Sequence, residues 1–208
     1  MELSKSQHSK ELAKSSLQLI HGVPVLGTVG RLVEQKGHKI LLETISVLKD
    51  DGIDVQLILV GEGPLRRKLI AQVDELGLTD RVHFLGNRRD LGDLFRAMDV
   101  FVMPSLWEGL SLAMLSAMAA GLPTIATSVG GVGEVFAGKS LGITLPPNDI
   151  AALAVNIRYL LDNPAKAKEM GINAKAHVYK NYSVQSFIGR LMNIYELVFK
   201  VGGKCVQR

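Results

Sequence analysis

Short runs of Val, Ile and Leu recur along the chain, and each ends at Gly or Pro. Val23-Pro24-Val25-Leu26-Gly27-Thr28-Val29 stops at Gly30, Val55-Gln56-Leu57-Ile58-Leu59-Val60 at Gly61-Glu62-Gly63-Pro64, and Val82-His83-Phe84-Leu85 at Gly86. Val100-Phe101-Val102-Met103 breaks at Pro104, Thr124-Ile125-Ala126-Thr127 follows Pro123, and Leu141-Gly142-Ile143-Thr144-Leu145 stops at Pro146-Pro147. Continuous apolar runs of this length are the pattern of strands buried on both faces. Between them apolar residues take helical spacing, as at Ile40, Leu41, Ile45 and Leu48, and again over 65–76, over 91–98 and in the Leu/Ala/Met segment ended by Gly121 and Pro123. The alternation predicts an α/β fold: a doubly wound parallel sheet of about six strands with helices on both faces and right-handed connections. Beyond Pro147 the pattern is all helix, over 149–161, 164–179 and 183–199. The last of these carries Phe187, Leu191, Ile194, Tyr195 and Val198 on one face, a stripe that needs a partner surface. This divides the chain into a connecting segment (1–21), the sheet domain (22–182), and a C-terminal helix and tail (183–208).

Composition narrows the class. With 208 residues, 47% of them hydrophobic, the chain can bury a sizeable core. A net charge of +4, spread among interspersed acids, makes no basic stripe for nucleic acid. The single cysteine, Cys205, can form no internal disulfide, and the polar, Ser/Lys-rich start has no apolar core of a secretory signal, so a cytoplasmic location is expected. No charge occurs between Glu108 and Glu134, but Gly121-Leu122-Pro123 splits that stretch below the roughly 20 residues a membrane span requires.

The candidate chemistry lies at the strand ends. Arg31 after the first strand and Lys36 before the next helix put two cations over the carboxyl edge of the sheet, suited to a diphosphate; the alternatives are that both are solvated surface cations or that Arg31 pairs with Glu34. Glu108 follows the fourth strand in a Gly-containing turn before a helix, where an anionic ligand meets a helix N-terminus. Ser105-Leu106-Trp107-Glu108 also fits a capping box, worth about 1 kcal/mol without any ligand. Ser116 reads as core-facing or bonded back to its helix. His38 and His83 have no Cys or acid at metal-ligand spacing, Gly61-Glu62-Gly63-Pro64 is a tight turn rather than a dinucleotide loop, and Gly109-Leu110-Ser111-Leu112-Ala113 lacks the second Gly of a nucleophile elbow.

Taken together, Gly30-Arg31-Leu32 with Lys36-Gly37, Val60-Gly61-Glu62-Gly63-Pro64, Val82-His83-Phe84-Leu85-Gly86, Pro104-Ser105 with Glu108-Gly109-Leu110, Ala117-Met118-Ala119-Ala120-Gly121-Leu122-Pro123, Val129-Gly130-Gly131 with Glu134, and Leu145-Pro146-Pro147 with Asp149 resemble the C-terminal half of the GT-B glycosyltransferases of family 4, also called group 1. The resemblance runs over about 24–199 and implies a Rossmann-like domain that binds a nucleotide-diphosphate sugar. It implies that Gly30, Arg31 and Lys36 meet the donor diphosphate, that Asn87 and Arg88 help to hold the base, that the carboxylate of Glu108 is the catalytic group beside the donor sugar and pyrophosphate, and that Gly109, Leu110, Ser111 and Leu112 turn backbone N–H groups to the phosphates. The family's second acid, which grips the ribose, falls at Ser116, eight positions after Glu108, and Ser111 stands where Gly is common. A hydroxyl in place of that carboxylate forfeits about 1.5–3 kcal/mol, or about one to two decades of affinity.

The resemblance further implies a hexosyltransferase-type enzyme that retains anomeric configuration in polysaccharide or glycolipid assembly, with no metal or other cofactor. It implies an N-terminal half that supplies the acceptor site and a catalytic His, so these residues alone are expected to lack turnover. Peripheral association of the full enzyme with the inner face of the membrane is a further expectation. The alternative is a non-catalytic pseudoenzyme fragment acting as an interaction module.

Overall fold

The structure, a computed structural model, describes residues 9–136 and 140–205. Six strands alternate with helices: α1 (Lys10–Ser16), β1 (Val25–Val29), α2 (His38–Asp50), β2 (Gln56–Val60), α3 (Arg66–Glu75), β3 (Val82–Gly86), α4 (Leu91–Ala97), β4 (Val100–Met103), α5 (Leu112–Ala120), β5 (Thr124–Thr127), α6 (Val132–Phe136) and β6 (Ile143–Leu145). Three helices follow, α7 (Ile150–Asp162), α8 (Pro164–Tyr182) and α9 (Val184–Cys205). All strands are parallel, in the order β3-β2-β1-β4-β5-β6, so the sheet is doubly wound and Rossmann-like as expected. In β2, Leu57 and Leu59 face one apolar layer, with Leu41, Leu69 and Leu153 of α2, α3 and α7. Ile58 and Val60 face the other, with Phe95, Met114 and Val135 of α4, α5 and α6 and Ala13 of α1. Burial on both faces is why these strands read as unbroken apolar runs.

The segment read as a connector folds onto the sheet domain. Ala13 and Leu19 are buried in its core, and Asp99, at the start of β4, accepts from the Val25 N–H at 2.8 Å while pairing with Lys10 at 2.6 Å and Lys14 at 2.9 Å. Burial works to raise the Asp99 pKa, but the bonds from Lys10, Val25 and Lys14 outweigh it and hold the carboxyl below its ordinary 3.8. Residues 1–8 of that segment, and 206–208 of the tail, lie outside the described residues. The five-residue helix α6 was not anticipated. The last two helices run further than their patterns indicated, to Tyr182 and Cys205.

α8 packs along α5, where a Cβ on Gly171 would overlap the Gly121 carbonyl. α9 touches α8 and otherwise leaves the domain: Phe187, Ile194, Tyr195 and Val198 are all more than half exposed. The apolar stripe read from the sequence is therefore present and uncovered. Among the described residues no helix is long and apolar enough to cross a membrane.

Candidate functional site

From β1 the chain winds outward through β2 to β3, then crosses back to β4 and winds the other way. The crevice outside the carboxyl ends of β1 and β4 is thus the point where the strand order reverses, the usual ligand position in such sheets. The loops after β1 and β4 meet there. The Leu106 N–H donates to the Gln35 carbonyl at 2.8 Å, and Gln35 Nε2 donates to the Trp107 carbonyl at 3.1 Å. Between these contacts the Lys36 ammonium bonds the Glu108 carboxylate, and Ser105 Oγ donates to the same carboxylate oxygen at 3.4 Å. The Lys36 side chain is 20% exposed and that of Glu108 only 11%, so the pair is largely withdrawn from water and still open on one side. A buried pair that loses one partner leaves an uncompensated charge, so these two side chains hold each other in place.

The loops that carry the pair are braced from below. Thr127 Oγ1 donates to the Ser105 carbonyl. Gly130, with φ of 53°, lies against the Glu108 carbonyl where a Cβ would overlap it, and the Gly131 N–H donates to the Gly109 carbonyl at 3.1 Å. On the other side a 3-10 turn over Glu34–Lys36 is followed by Gly37 and then by His38, the first residue of α2. The His38 ring is buried and hydrogen-bonded to the Val33 backbone, while its Nδ1 has no partner among the described residues. Burial and then the nearby Lys36 charge push its pKa from 6.5 down to about 4, against the opposing pull of the Val33 bond. A neutral imidazole therefore props up the turn bearing Lys36.

The helix after Glu108 starts later than the capping box required. Ser111, not Ser105, is the N-cap of α5, its Oγ accepting from the Met114 N–H at 3.3 Å. Gly109 and Leu110 intervene, and Ser105 turns its hydroxyl to Glu108 instead. With Met114 satisfied by Ser111 and Leu115 by the Ser111 carbonyl, the N–H groups of Leu112 and Ala113 at the helix start have no acceptor among the described residues. They face the region where an anion is stabilised by a helix N-terminus.

Of the other candidate residues, the Gly30 N–H donates to the Val60 carbonyl at 2.9 Å, and a Cβ on Gly30 would come into ordinary contact with the Lys36 side chain. Arg31 is exposed and makes no ion pair among the described residues, so the alternative pairing with Glu34 is not formed. Asn87 and Arg88 follow β3 on the same rim, exposed. Arg88 is held by Asp90, with Nε 2.8 Å from Oδ1, which raises the arginine pKa and lowers that of the carboxyl. Ser116 is buried one turn into α5, its hydroxyl donating to the Leu112 carbonyl at 2.7 Å, as the back-bonded reading expected. Gln35, Ser105, Thr127 and His38 were not singled out from sequence as parts of the site. Their only signal was position beside Lys36 and Glu108 or at the end of a strand.

A family model described as Glycosyl transferases group 1 matches residues 9–177. The chain is 36% identical over 146 residues to a 2-deoxystreptamine glucosyltransferase from Streptomyces kanamyceticus, covering 69% of this chain and 38% of that protein. It is 30% identical over 198 residues to the lipopolysaccharide core biosynthesis mannosyltransferase LpsB from Rhizobium meliloti, covering 92% of this chain and 56% of that one. Among solved structures, Anabaena HepE in complex with UDP-glucose superposes with a TM-score of 0.83 at 25% identity, over 92% of this chain and 53% of that one. The chain thus spans about half the length of the relatives it matches. On the family match, the sheet and the relatives together, it belongs to the glycosyl transferases group 1 family.

Proposed function

We propose that this chain is the donor-binding half of a retaining glycosyltransferase. It holds a nucleotide-diphosphate sugar in the β1/β4 crevice, and with an N-terminal half that carries the acceptor site it moves the glycosyl group to an acceptor in glycan assembly. The observation that carries this reading is the Lys36–Glu108 pair at the switch point, beside the free N–H groups at the start of α5. HepE, similar over nearly the whole chain, is itself seen with UDP-glucose. As the bond from sugar to diphosphate breaks, negative charge gathers on the leaving phosphates and positive charge on the sugar. Lys36, Arg31 and the α5 N–H groups would stabilise the first, and Glu108, released from Lys36 by the arriving phosphates, the second. Pre-placed charges of this kind act without reorganising solvent, which is what a crevice with an 11%-exposed carboxylate provides. Asn87 and Arg88 on the neighbouring rim would meet the base. In this reading the chain alone binds donor without turnover, and the assembled enzyme works in the cytoplasm or peripherally at the inner membrane face.

Calorimetric titration of the full chain with UDP-, GDP- and ADP-sugars tests it. Heat that vanishes in Lys36→Met is the expected result, and no heat with any of them at millimolar concentration overturns it. One observation favours a second reading, a non-catalytic interaction module: at the family's ribose-binding position the Ser116 hydroxyl is buried and turned back to Leu112.

A further inference from the structure

On the face of the sheet covered by α1, α4 and α5, away from the β1/β4 crevice, a recess of about 250 Å3 lies between α4, α5 and α8. Phe95, Arg96, Ala119, Ala120, Lys175 and Tyr179 line it, so it holds two cations and no acid. Arg96 Nε is buried with no hydrogen-bond partner among the described residues, and the Asp93 oxygen with which it pairs is 4.0 Å away, beyond hydrogen-bond reach. Lys175 lies along Gly121 and makes no ion pair among the described residues. At the end of α5 the Ala117 and Met118 carbonyls are already capped by the N–H of Gly121, and Ala117 also by that of Leu122. A buried donor without an acceptor is uncommon enough to ask what fills it.

Ala119 and Tyr179 also line a second recess, of about 340 Å3, whose walls include Leu112, Leu115, Val178, Tyr182 and Val184. The two recesses adjoin at Ala119 and Tyr179, the one cationic at the end of α5 and the other apolar towards its start. From these features we infer that together they bind an anionic amphiphile: a phosphate monoester head on Arg96 and Lys175, with its apolar chain laid over Ala119 onto Leu115 and Val178. Charge complementarity selects the head, and the apolar walls select the body. The cationic end is separate from the Lys36–Glu108 crevice, while the apolar end reaches Leu112 and Ser116 at the start of α5; the head-group contacts do not depend on the donor reading.

Titration of the full chain with decyl phosphate, below its critical micelle concentration, and with inorganic phosphate tests this by backbone amide shifts. Decyl phosphate is expected to shift Arg96, Ala119 and Tyr179 and to bind about tenfold tighter than inorganic phosphate. Arg96→Gln or Lys175→Gln should weaken it about fivefold, and Lys36→Met should leave it unchanged. Lys175 is exposed, so Lys175→Gln carries the test if Arg96→Gln fails to fold. Decyl phosphate binding that survives these substitutions would be adsorption on the α9 stripe and overturns the proposal, as does equal binding of decyl phosphate and inorganic phosphate. Shifts confined to residues 30–37 and 108–111 would place the phosphate in the other crevice and also overturn it.

Discussion

Gly37 lies against the Pro104 carbonyl so closely that a Cβ would overlap it, and its φ of 64° is in the left-handed region. The contact joins the residue after Lys36 to the residue before Ser105, and so sets the separation across which Lys36 reaches Glu108. Gly37→Ala should cost at least ~2 kcal/mol, from the left-handed strain and the displaced loop together. Urea unfolding checks this, and wild-type stability in the variant would mean that the two loops can slide apart freely.

The buried His38 gives stability a pH dependence of definite sign. Its folded pKa of about 4 lies below the ordinary 6.5, so above pH 6.5 both states are neutral and its contribution is whole. Between 6.5 and 4 the unfolded chain takes up a proton that the folded one refuses, and stability falls with pH by up to roughly 3 kcal/mol before levelling off. His83, also lowered by burial, acts in the same sense, and Asp99 adds its loss only below the ordinary carboxylate range. Urea midpoints at pH 7.5, 6 and 5 should therefore drop in the wild type and drop less in His38→Gln. Parallel slopes would remove His38 as the cause.

Ser116→Glu places a carboxylate where the family holds the ribose. Position 116 borders the open apolar recess beside α8 and α9, so a longer side chain has somewhere to extend. Affinity for a nucleoside diphosphate should rise by about one to two decades. Calorimetry reads it, and an unfolded variant or unchanged affinity would assign position 116 to the core.

The uncovered α9 should make the chain self-associate, because an exposed apolar stripe of this length seeks a partner. Sedimentation at several concentrations should give a mass that rises with concentration, and a chain ending at Tyr182 should be monomeric with a melting temperature within about 3 °C of the parent. A strictly monomeric parent whose shortened form melts far lower would make α9 part of the core.

Much of the fold was legible because buried parallel strands write themselves as Val/Ile/Leu runs and each run ends at a residue that breaks it. β2 reads directly from Leu57-Ile58-Leu59-Val60, and its C-terminal turn from Gly61. α6 was hidden, since five residues with Gly133 among them give no helical period. The start of α5 stayed open in the sequence for a local reason: Ser105 and Glu108 have capping-box spacing, but Ser111 offers a cap nearer the helix. Lys36 and Glu108 could each be suspected, yet their bond joins residues 72 apart and depends on which strands are neighbours, which no local pattern records. The groove between α4 and α8 had no sequence signal at all, because Arg96 and Lys175 meet only through the packing of α8 on α5.

The salt bond in the crevice means that the protein carries its own counter-ion. An anion reaching Lys36 displaces a carboxylate rather than water, so binding there is an ion exchange, and the freed Glu108 stays nearby as a fixed negative charge. Added salt then weakens the resting pair and the incoming contact alike. The logarithm of affinity for a diphosphate should consequently fall less steeply with the logarithm of salt concentration than in Glu108→Gln, where Lys36 waits unpaired.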